Sequence, residues 1–141
     1  MINDSERIIE RHELENGTEI ILFDHSRQMS VDRWIVELKC VAHIPIDEGF
    51  WNMAAGEDQR ILEGIRKKIG DHLTHTFSNK RIFIPDEDRE QILREMVHQV
   101  YNGMMEYLKK PNFPSKLFKK LYHENRQRLL LQEAMNHVAD D

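Results

Sequence analysis

The chain has 141 residues, 40% of them apolar and 32% charged, which is the composition of one folded domain and not of a disordered chain. A domain of this length buries roughly two-thirds of its unfolded surface and needs no staple to fold. No apolar run approaches the roughly 20 residues of a membrane span, and the charged start "MINDSERIIERHE" lacks the apolar centre of a signal peptide, so the expected location is cytoplasmic.

The single cysteine, Cys40, excludes an intrachain disulfide and multi-cysteine zinc or iron–sulfur sites, and no cofactor is expected. The net charge of −5 is uneven: −8 over residues 1–58, zero over 59–108 and +3 over 109–141. An acidic first half and a basic end favour head-to-tail or domain-to-partner contacts over a whole-surface nucleic-acid binder.

Along the chain, Asn16-Gly17 lies between "IIERHEL" and "TEIILFD". Asn-Gly is the favoured pair for a two-residue type I′ turn, which predicts antiparallel strands over 8–14 and 18–24. Val31 to Ile46 then alternates, with Trp34, Val36, Leu38, Cys40, Ala42, Ile44 and Ile46 on one face and Arg33, Glu37, Lys39 and His43 on the other. Period two over this length predicts a half-buried strand that frays at Pro45. Cys40, inside the alternation, reads as a small buried hydrophobe and not a reactive thiol.

Residues 47–56 read as a loop or short helical turn carrying two exposed aromatics. Ile61, Leu62, Ile65 and Ile69 predict a helix over 57–69, weakened by Gly64 and stopped by Gly70. "HLTHTFSNKRIFI" predicts a fourth strand, with Asn79-Lys80 able to bulge or turn it. Pro85-Asp86 predicts a helix start with Asp86 as its N-cap, and an apolar stripe from Ile92 runs unbroken to Leu108. "KKPNFP" ends that helix, and a last one begins near Ser115, burying Leu117, Phe118, Leu121 and Tyr122. The order βββαβαα predicts a single α+β domain over 1–141, sheet-rich over 8–84 and helical over 86–138. Its sheet is antiparallel, a β-meander plus a fourth strand, with helices packed on one face.

The polar stretch "FDHSRQMSVDRW" holds the candidate ligand-binding residues Asp24, Arg27, Asp32 and Arg33. Adjacent Asp24, His25 and Ser26 do not make a triad, because neighbours on an extended chain point to opposite faces and no Gly-x-Ser-x-Gly elbow exposes the serine. The bland reading is a polar joint in which Asp24 and Ser26 make local turn bonds. The sharper one has Arg27 and Arg33 hold a carboxylate or phosphate. Asp24 and Asp32 could instead neutralise both arginines, which is the stronger alternative. Trp34 reads as core, since it shares the apolar face of its strand.

His72 and His75, beside Asp71, would converge on a helix but diverge on a strand, so no metal is expected. No glycine-rich phosphate loop is present. The basic end presents Lys116, Lys119 and Lys120 among Phe118 and Tyr122, which reads first as an amphipathic helix with a solvated lysine face and second as a patch for nucleic acid or an acidic partner. "RLLLQEAM" near the end could seal a homodimer.

Taken in order, "HELENGTEI", "DHSR", "DRWIVELKCVAHIPI", "NKRIFIPDEDREQI" and "NFPSKLFKKLY" resemble a group of conserved bacterial proteins of unassigned function, over about residues 8–122. The resemblance implies a small cytoplasmic bacterial α+β protein and supplies no catalytic residues. With no catalytic motif, an uneven charge and a leucine-rich last helix, the expected function is a non-enzymatic interaction or regulatory module, able to self-associate or to meet a protein partner. A small-molecule or anion-binding protein or enzyme using the 24–34 stretch is the alternative. Weak nucleic-acid binding through 109–128 ranks last, and no membrane association is expected.

Overall fold

The alternation from Trp34 to Ile46 becomes the central strand of the sheet. In the computed structural model, which describes residues 7–139 and side chains through His137, this strand is β4, Arg33–Pro45. Residues 1–6 of the charged start, the final two residues and the side chains of Val138 and Ala139 lie outside the described part. Val36, Leu38, Cys40, Ala42 and Ile44 are all buried on one face of β4. Strand β1 (Arg7–Glu13) pairs with β2 (Glu19–Asp24), and β2 pairs with β4, both antiparallel. A two-residue β3 (Arg27–Gln28) pairs with the start of β4 on the same side, and β5 (His72–Pro85) pairs with β4 along its whole other side. The fold is α+β with an antiparallel meander and a fourth long strand, as predicted, and it adds the short β3.

The helices cover the face that β4 buries. Asp47 caps the one-turn α1 (Glu48–Trp51), a 3₁₀ turn follows, and α2 spans Gln59–Ile69. Trp51 is not the exposed aromatic expected of a loop; it is buried edge-on against Phe118, with ring centroids 5.1 Å apart. Asp58 caps α2 by accepting from the Arg60 and Ile61 amides, and Gly70 ends it at φ +76. Helix α3 is Arg89–Asn102 and α4 is Met104–Leu108. The apolar stripe to Leu108 is thus two helices broken at Gly103, where the backbone leaves helical angles. Asp86 is not the N-cap either: residues 86–88 form a 3₁₀ turn ahead of α3.

Helix α5 runs Phe113–Ala139 and starts two residues before Ser115. Pro114 sits in its first turn, where a missing N–H leaves no bond unmade, so the second proline opens the helix instead of blocking it. Gly64 lets α2 and α5 approach closely, since a Cβ there would lie 2.8 Å from Leu129 Cδ1. Glu57, just before α2, accepts from Tyr122 Oη at 2.8 Å and Arg126 Nε at 2.6 Å, which ties the start of α2 to α5.

Two turns depart from expectation in instructive ways. Asn16 does not take the positive φ of a type I′ turn; Gly17 alone does, at +87. Leu14 and Thr18 close a three-residue loop, with the Leu14 amide donating to the Thr18 carbonyl at 2.8 Å. This frees Asn16 for a longer reach. Its Nδ2 donates to the carbonyls of Leu108 and Lys110, each at 2.8 Å, while its Oδ1 accepts from the Thr18 amide. One amide side chain thus closes the hairpin and satisfies two carbonyls at the end of α4.

The fourth strand is regular through Asn79-Lys80 and bulges later. Between Trp34 and Val36 of β4, β5 carries one extra residue, and Phe83 adopts φ +63. That left-handed position suits glycine, and a bulky side chain there costs about 1–2 kcal/mol of strain.

Asn16→Ala removes three bonds and leaves the Leu108 and Lys110 carbonyls without their donor. We expect chemical denaturation to show a loss of about 2 kcal/mol. A loss below about 0.5 kcal/mol would mean that solvent replaces the tie without penalty.

Candidate functional site

The stretch "FDHSRQMSVDRW" is a continuous antiparallel hairpin. The register of β2 on β4 carries through β3 without a slip, from Glu19↔His43 to Gln28↔Trp34. The ladder is interrupted only at residues 25–26, where a side chain substitutes for backbone: the Glu37 amide donates to Ser26 Oγ at 3.1 Å. The Glu37 carbonyl accepts from the His25 amide at 2.9 Å, and its carboxylate accepts from Arg27 Nη1 at 2.7 Å. Ser26 is therefore a rung of the sheet. Asp24 Oδ1 accepts from the Ser26 amide at 3.0 Å, the local turn bond expected of it. The hairpin tip is Ser30–Asp32, closed by the Met29 amide donating to the Arg33 carbonyl.

The charges pair, but with partners the sequence did not suggest. Arg27 bonds Glu37 and not an aspartate, and Asp24 bonds Arg7 Nη2 at 3.1 Å. Only Arg33 takes the expected kind of partner, Asp32, at 3.5 Å. Burial pushes the Glu37 carboxyl up, but the Arg27 bond and charge, with smaller help from His25 and Lys80, outweigh it and hold the group below the usual carboxylate range.

This joint forms one wall of a cleft of about 510 Å³. Strand β1 contributes Arg7; the joint contributes Asp24, Ser26, Arg27 and Gln28; β4 contributes Trp34. The opposite wall is the first turn of α3, with Arg89, Glu90 and Leu93. The Arg89 guanidinium stacks on the Trp34 ring, 4.1 Å from its centroid, a cation–π contact that fixes both groups. The Trp34 indole N–H is buried with no acceptor among the described residues. Trp34 is thus half core and half cleft wall. Of the four candidates, Asp24 and Arg27 line the cleft, whereas Asp32 and Arg33 sit at the hairpin tip and do not. Arg7, Gln28, Arg89, Glu90 and Leu93 were not singled out by sequence reasoning. Arg89 had one indirect signal: only Asp86–Asp88 separate it from the fourth strand, so whichever strand that strand joins receives Arg89 near its end.

Other candidates lie elsewhere. Lys116, Lys119 and Lys120 are exposed on the first turns of α5, while Leu117 and Phe118 beside them are buried. His72 stacks on His43, ring centroids 4.4 Å apart, and His75 points away toward Lys120; burial first and then the Lys120 charge hold His75 below its usual range. Among the described residues no group of three or more His, Cys, Asp and Glu side chains gathers as a metal site would need. Cys40 is fully buried, and burial pushes its thiol up to about 12.

A second polar cluster went unseen in the sequence because its members are far apart in the chain. The Tyr101 hydroxyl of α3 bonds both the Glu10 carboxylate and the His12 ring of β1, and His12 Nε2 lies 3.0 Å from Glu10 Oε2. The Tyr101 bond, then the His12 bond, hold Glu10 below its usual range. Burial, then the Glu10 bond, push Tyr101 up to about 12. A lowered carboxyl stabilises the fold above its ordinary range and loses this as pH falls through its folded value. A raised phenol stabilises below its ordinary value near 10 and loses this as pH rises toward 12.

Comparing the wild type with Tyr101→Phe, we therefore expect a stability difference of about 1 kcal/mol that is flat from about pH 5 to pH 10 and shrinks on both sides. Denaturation midpoints across pH measure it, and a difference that grows above pH 10 would contradict the assignment.

No family model, no curated protein and no solved structure matches the chain.

Proposed function

We propose that this protein is a cytoplasmic, non-enzymatic binding module that holds a small carboxylate- or phosphate-bearing molecule in the cleft between the 24–34 hairpin and α3. One observation carries the reading: three guanidinium groups, from β1, from the joint and from α3, border one cleft beside an indole. Arginine offers five donors in a planar fork, and the pairs with Asp24 and Glu37 use only part of that supply. Each guanidinium has a carboxylate beside it, Asp24 for Arg7, Glu37 for Arg27 and Asp86 for Arg89, so an anion would be held by the donors these pairs leave over and not by excess charge. The apolar side formed by Trp34 and Leu93 suits a ligand that carries a ring or short hydrocarbon behind its anionic group. Ser26 favours a binding role over a nucleophilic one, because the hydrogen bond its oxygen accepts from the Glu37 amide lowers its nucleophilicity.

Calorimetric titration with inorganic phosphate, citrate and a nucleoside monophosphate tests this. At least one should bind wild type with millimolar or better affinity. Arg27→Gln and Arg89→Gln should each weaken it by about tenfold or more. The control Lys116→Glu/Lys119→Glu should leave it unchanged. Equal binding by the arginine variants, or loss in the lysine control, would place the anion elsewhere.

A second observation favours self-association alongside this role. Leu131 and Met135, one turn apart on α5, are both more than half exposed. Light scattering should show a concentration-dependent dimer that Leu131→Glu/Met135→Glu abolishes. A monomer at every concentration would remove this reading.

A further inference from the structure

The hairpin tip and the β5 bulge meet at one end of the sheet. The Phe83 amide contacts Met29 Sδ at 3.4 Å, and the Asp86 amide donates to the Asp32 carbonyl at 3.3 Å. These contacts set Met29 against Phe83, with Val31 and Ile82 near them along the two chain segments, so that four apolar residues lie at this end of the sheet. All four are exposed, Val31 by 92% and Phe83 by 66%. Phe83 is the unusual member. Its backbone sits in the left-handed region, where glycine would fit without strain, and the phenyl group that occupies it is spent on solvent instead of the core. A strained residue that presents a large aromatic outward gains nothing for the fold that carries it, and such outliers cluster at binding surfaces.

Charge narrows the occupant. Asp32, Asp86, Glu87 and Asp88 rim the patch and are exposed. Asp32 and Asp86 are paired with Arg33 and Arg89, which leaves Glu87 and Asp88 as the rim acids with no ion pair among the described residues. On the other flank, Arg81 pairs with Glu95, and the Lys80 charge acts on Glu37. What the rim offers outward is the carboxylates of Glu87 and Asp88. An acidic rim repels anionic lipid headgroups and nucleic acid and attracts lysine and arginine.

We propose that this patch docks a basic segment of another protein that carries an apolar anchor, with the anchor seated against Phe83 and Ile82 and its basic residues facing Glu87 and Asp88. Met29, Val31, Ile82 and Phe83 do not line the ligand cleft, although Asp86 pairs with the cleft's Arg89, and the proposal stands whether or not the cleft binds an anion.

Fluorescence anisotropy with a labelled ten-residue peptide of alternating lysine and leucine is the direct probe, with an all-lysine peptide and an alternating glutamate–leucine peptide as comparisons. The lysine–leucine peptide should bind wild type best, and its affinity should fall as salt rises. Phe83→Gly should weaken it by about tenfold or more while leaving the thermal midpoint unchanged or higher, because the substitution relieves the backbone. Glu87→Lys/Asp88→Lys should weaken it and flatten the salt dependence. Equal affinity for Phe83→Gly would overturn the proposal, as would all-lysine peptide binding equally well. Two further results would also overturn it: a dimer of the protein that Phe83→Gly dissolves, which makes a second copy the occupant, or preferential binding to vesicles of phosphatidylserine.

Discussion

Everything else in this molecule hangs on the pairing of β4 along both of its sides. Thirteen residues of one strand hold β2 and β3 on one side and β5 on the other, while five alternate side chains form the floor of the core. A strand paired on both sides and buried on one face cannot slip by a residue without turning its whole apolar set outward. That constraint fixes the ends of its neighbours too. The hairpin tip on one side and the end of β5 on the other both arrive at Arg33 and Trp34, so the chain that leaves β5 must enter α3 there. The cleft and the apolar patch are consequences of this single meeting point.

The arrangement around Trp34 shows how local rules yield to that constraint. Ser26 lends its hydroxyl oxygen as acceptor where the ladder breaks, and Glu37 accepts a partly buried position because Arg27 accompanies it. A half-buried carboxylate left alone would be costly, and a paired one fixes the arginine in place. Arg27 is held by Glu37 and Arg89 by the Trp34 ring, which would lower the ordering cost of the proposed binding. The opposite end of the sheet relies on Asn16, one amide linking hairpin and helix.

The sequence made the strands legible because period two survives in β4 without exception. Gly70 and Asp58 were equally transparent, each placed by its own backbone chemistry. The errors arose where a residue had two uses. Asn16-Gly17 suggested a two-residue turn, but a tertiary bond from the Asn16 side chain favoured a longer loop. Pro114 looked like a breaker and opened a helix. Trp51 looked like a loop aromatic because its partner, Phe118, lies far along the chain. Half of the candidate site was visible, Asp24 and Arg27, because it belongs to one hairpin. The other half, Arg7 and Arg89, depends on strand order and on where α3 begins, which local pattern does not encode. Phe83 was invisible as a strained residue, since nothing in "KRIFIP" marks a bulge.

The central claim is that the geometry at Trp34 makes a ligand site of the hairpin and the start of α3 together. Amide chemical-shift mapping by NMR during titration with a nucleoside monophosphate tests it most directly. The account predicts shifts that saturate together at residues 24–28, at the Trp34 indole and at 89–93, with residues 109–120 unmoved. Shifts centred on the lysines of α5, or none at residues 89–93, would contradict it.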